Sequence, residues 1–95
     1  MVQSMTKKKI ERPKFTTKFI REQLEKQDFK CYLSGLPMEA WNCEAEHLTP
    51  LGEKHKGDHT PENIVFVRRE LKSLKRECSI EEIVTICKAI IKNHG

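Results

Sequence analysis

The chain has no long apolar run, and none of its stretches approaches the roughly 20 residues a membrane-spanning helix requires. We therefore expect no membrane contact. Its basic N-terminus is not followed by an apolar stretch, which argues against a secretory signal. The four cysteines, Cys31, Cys43, Cys78 and Cys87, include no CxxC pair, and their spacing argues against a structural zinc site. Outside a secretory route such thiols stay reduced, and Cys87 is expected to pack in the core as a small hydrophobe. Aromatic residues are scarce, at 6%, and the hydrophobic fraction is 37%. That is enough for a core, but a modest one. No internal repeat is present.

Charge is abundant and unevenly placed. Residues 1–14 hold Lys7, Lys8, Lys9, Arg12 and Lys14 against Glu11 alone, so this segment accounts for the whole net charge of +4. The remaining residues balance. At 95 residues the chain is one small domain. We read 1–14 as a flexible basic arm and 15–95 as the folded part. A basic arm on a neutral body suits a polyanion, because neutralised phosphates release counterions whatever the base sequence.

Local signals divide the folded part. Thr16 and Thr17 can cap a helix running to about Gln27, with Ile20 and Leu24 on its apolar face. Ser34-Gly35-Leu36-Pro37 marks a turn within an irregular stretch or short hairpin over 28–42. Phe29, Tyr32 and Trp41 are expected to supply core bulk there. Residues 43–48 alternate as a short strand, predicted to turn Cys43, Ala45 and Leu48 inward. A polar loop, 52–62, leads to the clearest strand, Asn63 to Val67, with Ile64, Val65, Phe66 and Val67. A short helix follows over 68–76. Ser79-Ile80-Glu81-Glu82 is a capping box that starts a helix to about Lys92. Its Ile80, Ile83, Val84, Cys87, Ile90 and Ile91 recur at helical spacing and predict a buried face.

Strand, loop, strand and helix over 43–76 form a ββα unit, and its polar residues carry the chemistry. Glu46-His47-Leu48-Thr49-Pro50, then Asn63-Ile64-Val65, then Lys72-x-x-Lys75 resembles the motif of the HNH (ββα-metal) endonucleases. Cys31-Tyr32-Leu33-Ser34-Gly35 is similar to the turn that often precedes the motif, and Cys78 to Ile83 to the helix that often follows it. The likeness spans about residues 17–92. It implies an α+β fold: a small ββα-metal (HNH) nuclease core with flanking N-terminal and C-terminal helices. Some family members carry zinc on two CxxC pairs. Here the first pair reads Cys31 to Ser34, which argues against zinc.

Phosphodiester hydrolysis needs a base near neutral pKa to activate water, and histidine suits that task. The resemblance implies that His47 is this base. It implies that Glu46 takes the place of the usual aspartate as ligand to Mg2+ or Mn2+, and that Asn63 fixes the loop and orients His47. It further implies DNA as substrate and partner, a larger nucleoprotein assembly as a setting, and a bacterial or phage-infected cytoplasm. Arg68, Arg69, Lys72, Lys75 and Arg76 share roughly one helical side and suit phosphate contacts, with Lys7, Lys8 and Lys9 of the arm. His55 and His59 are read as solvated loop residues.

Lys72 departs from the family. It stands where the second metal ligand is usual, and a protonated lysine cannot ligate. An ammonium about 4 Å from a divalent ion costs roughly 8 kcal/mol at an effective dielectric near 20. The same arithmetic favours a Glu46–Lys72 ion pair. Two functions follow: a DNA endonuclease, or a DNA-binding module of the same fold weakened or silenced, by nature or by design, through Lys72.

Overall fold

The computed structural model describes residues 15–95, so the arm and its Lys7, Lys8 and Lys9 lie outside the described residues. Those described form a small α+β unit with a two-stranded antiparallel sheet and three α-helices. Helix α1 spans Thr17–Lys26. Strands β1, Cys43–His47, and β2, Ile64–Arg68, follow, then α2, Arg69–Lys75, and α3, Ile80–His94.

The two longer helices start where side-chain chemistry satisfies their first amides. The Thr16 hydroxyl accepts from the Phe19 amide at 3.0 Å, ahead of α1. Ser79 and Glu82 make the reciprocal capping box of α3 at 3.2 and 2.8 Å. Helix α2 stops at Arg76, whose φ of 47° lies in the left-handed region. Between α1 and β1 the chain turns back on itself. Gly35, with φ of 77°, closes the turn from Cys31 that the sequence marks, and Lys30 bridges Pro37.

The sheet pairs Ala45 with Phe66 and Glu46 with Val65. Strand β2 is the core: Ile64 to Val67 are all buried, joined by Cys31 and Ile83, with Leu33, Met38, Leu48 and Leu71 packed around them. Both outer edges of this sheet are covered. The Gln27 amide exchanges two hydrogen bonds of 2.9 Å with the Phe66 backbone, and the Tyr32 amide donates to the Phe66 carbonyl at 3.0 Å. On the β1 edge, the Ala45 and His47 carbonyls accept from lysines of α2.

Three sequence expectations are corrected. On β1 it is Glu46 that is buried, while Ala45 is exposed. Alternation places apolar residues inward only when nothing polar on the other face finds a partner, and here α2 supplies one. Phe29, Tyr32 and Trp41 are exposed, because strand β2 and the Cys31–Met38 segment already fill the small interior. The third correction is α3. Only Ile83 of its apolar face is buried, whereas Val84, Ile90 and Ile91 remain open to solvent, and Cys87 is half-buried.

Candidate active site: a carboxylate held by two lysines

Helix α2 lies along the free edge of β1 and reads that edge with two lysines one turn apart. Lys75 is 1% exposed, and its ammonium donates to Glu46 Oε2 at 2.7 Å and to the His47 carbonyl at 3.2 Å. Lys72 donates to the Ala45 carbonyl at 2.5 Å and stands 3.7 Å from Glu46 Oε1. Glu46 is itself buried. An isolated buried carboxylate is costly, and the Lys75 pair is what makes its position tenable. Lys72 is 46% exposed, so its approach to Glu46 is screened and weak. Lys75 therefore belongs to the interior, which corrects its reading as a surface phosphate contact.

His47, at the end of β1, turns its Nε2 to Nδ1 of His59 at 2.9 Å. The His59 ring rests in turn on Phe15, with centroids 4.7 Å apart. Which ring donates is set by the tautomer. His59 thus leaves the class of solvated loop residues and joins the site.

Asn63 is buried in a short 3₁₀ turn, Pro61–Asn63, ahead of β2. Its Oδ1 accepts from the Thr49 amide at 2.8 Å, and its Nδ2 donates to the carbonyls of Thr49 and Asp58 at 2.9 and 2.7 Å. One side chain so ties the start of the loop after His47 to its end. Gly57 fits the same closure, since a Cβ there would sit 1.9 Å from the Thr49 carbonyl oxygen.

The remaining cations around α2 divide. Arg69 is exposed and shared between Glu44 at 3.2 Å and the Trp41 carbonyl at 2.7 Å. Arg68 leans back, with Nε 2.9 Å from Glu70 without hydrogen-bond alignment and a guanidinium nitrogen 3.3 Å from the Pro37 carbonyl. Arg69, Lys72 and Arg76 line a shallow cleft with Ser73 and the carboxylates of Glu44 and Glu77. His55 points away from this region, to Glu82 at 3.1 Å, where Lys54 also binds at 2.6 Å. The Lys54 ammonium and the Ser79 amide hold the Glu82 carboxyl down at about 2, from an ordinary 4.5.

These donors do not fit a divalent cation as they stand. Glu46 faces an ammonium at each oxygen, and two lysines against one carboxylate leave an excess positive charge. Such a centre attracts an anion, phosphate included, and repels a metal ion. No cluster of three or more His, Cys, Asp or Glu side chains suited to a metal occurs among the described residues. Cys31 is a free thiol. Burial pushes it up, but hydrogen bonds from the Ser34 side chain and the Arg68, Ser34 and Leu33 amides bring it below its ordinary value. No helix among the described residues is long and apolar enough to cross a membrane.

Sequence reasoning named two residues but misplaced them, reading Lys75 and His59 as solvent-facing. Lys75 lies four residues after Leu71, on the same face, and Leu71 packs on the core. That spacing was the available signal for a buried lysine. His59 left none, because its place depends on the path of a loop set by Asn63 and Gly57. No family model matches the chain, and no curated protein matches it.

Proposed function

We propose that the chain is a DNA endonuclease domain of the HNH (ββα-metal) type, held in a weakly active state by Lys72, with a bacterial or phage-infected cytoplasm as its setting. One observation carries the reading. Glu46, His47 and Lys75 form a single hydrogen-bonded unit, in which Lys75 binds both the Glu46 carboxylate and the His47 backbone carbonyl, with Lys72 3.7 Å from the other Glu46 oxygen. In this reading His47 takes a proton from water as its oxygen attacks phosphorus. The bond to the 3′ oxygen breaks, and the leaving oxygen takes a proton from solvent. Asn63 holds the loop beside His47, while Arg69, Arg76 and Lys72 neutralise phosphates along the DNA.

A second reading has its own support. Glu46 is occupied by lysine, which favours a module that grips DNA without cutting it, within a larger nucleoprotein assembly. Supercoiled plasmid incubated with Mg2+, Mn2+ or chelator separates the two. The parent should cut slowly or not at all. Lys72→Asn frees Glu46 Oε1 and supplies a neutral oxygen donor, and should raise cutting by a factor of about 100 or more, given the size of the charge penalty removed. His47→Ala should abolish it in that background. DNA binding without cutting in Lys72→Asn favours the second reading, and loss of both sinks the two together.

A further inference from the structure

Four of the apolar residues of α3 that the domain leaves wholly or partly in solvent follow a coiled-coil pattern, while Ile86, 43% exposed, lies outside it. Ile80, Val84, Cys87 and Ile91 are spaced by four, three and four residues, which is the seam of two helices wound together. Val84 is 43% exposed and Ile91 66%. On one flank of that seam stand Glu81 and Lys88, seven residues or two turns apart, and neither forms an ion pair among the described residues. On the other flank stand Ile83, which packs on the domain's own core, and exposed Ile90.

We propose that α3 pairs with α3 of a second copy of this chain, antiparallel about a two-fold axis that crosses between residues 85 and 86. The seam is symmetric about that point. Ile80 meets Ile91 of the second copy, and Val84 meets its Cys87. Glu81 comes beside Lys88 of the second copy, and the pair repeats by symmetry, as an isologous interface requires. A parallel pairing loses this match, because it turns Glu81 and Lys88 towards the other flank of the second helix, which holds Ile83 and Ile90. The antiparallel arrangement instead brings Ile90 beside Ile83 of the second copy, where that copy's body covers it. Helix α3 has 15 residues, about two heptads, so the interface is small and the dimer weak, dissociating at on the order of 10 to 100 µM. The inference stands apart from the proposed nuclease reading and survives its failure.

Sedimentation equilibrium on the whole chain, from micromolar to several hundred micromolar, tests it. The parent should dimerise reversibly. Glu81→Lys and Lys88→Glu should each weaken association about tenfold or more, because each sets like charges beside one another at both ends. An equimolar mixture of these two variants should associate at least as well as the parent, since the two lysines of one variant then face the two glutamates of the other. The double variant should recover too. Both positions are exposed, so circular dichroism should show unchanged folding. A monomer throughout the range overturns the proposal. So does a dimer that neither single variant weakens, or one the mixture fails to restore.

Discussion

Helices α2 and α3 invert the usual rule of burial. The short helix, α2, hides a lysine completely, while the long one, α3, leaves isoleucines in water. Each follows from what lies opposite. Beneath α2 is the edge of β1, with two carbonyls and a carboxylate that need donors, and a lysine ammonium carries three. Opposite the outer part of α3 the described residues offer nothing. Amphipathic spacing therefore marks a helix and its faces, but the partner decides which face is inside.

Breaking the buried pair should have the largest effect. Lys75→Ala leaves the Glu46 charge buried and uncompensated, and should cost about 3–5 kcal/mol by chemical denaturation, a large part of what a domain this small possesses. Replacing both residues, Lys75→Met with Glu46→Leu, should recover most of that loss. Lys72→Ala, on the same helix but half exposed, should cost about 1 kcal/mol or less. Equal losses at 72 and 75 would undo the distinction drawn between them. Next in size is Asn63→Ala, expected to cost about 2 kcal/mol through lost bonds to Thr49 and Asp58. Hydrogen exchange should then quicken at the Thr49 amide well before the β2 amides respond.

Smaller effects test α3. The folded Glu82 carboxyl lies below its unfolded value, so its contribution is complete above about pH 4.5 and lost as pH falls towards about 2. Glu82→Gln keeps the capping box. Its melting temperature should match the parent's near pH 2 and fall below it above pH 4.5, and parallel curves would remove Glu82 from the acid response. Least of all, Ile91→Gln should change the monomer's stability by under about 0.5 kcal/mol, measured at dilution, as befits an open face. A loss of several kcal/mol would mean that α3 is packed after all.

Much of this arrangement was legible in the chain. The caps at Thr16 and Ser79, the turn at Gly35 and the apolar run of β2 mark elements that the structure contains within a residue or two. The residues singled out as chemical, Glu46, His47, Asn63 and Lys72, all lie on or beside the β1–β2–α2 unit. What local pattern could not supply was pairing. Alternation put Ala45 inside because it counts hydropathy, not partners, and the lysine that reverses it lies 29 positions beyond Glu46. The contact between His47 and His59 depends on a loop whose course is fixed by hydrogen bonds and one close backbone approach. No spacing rule encodes that.

The Gln27 amide has a consequence beyond holding α1 in place. It occupies the Phe66 backbone much as a third strand would. The segment it shields, Ile64-Val65-Phe66-Val67, carries no charge and favours extended structure, the composition that recruits like segments from neighbouring chains into stacked sheets. Strand β1 is guarded in the same way by lysines, whose charges repel another copy. Two strands are too few to bury their own edges, and this small sheet stays single because side chains from outside it occupy the sites where aggregation would begin.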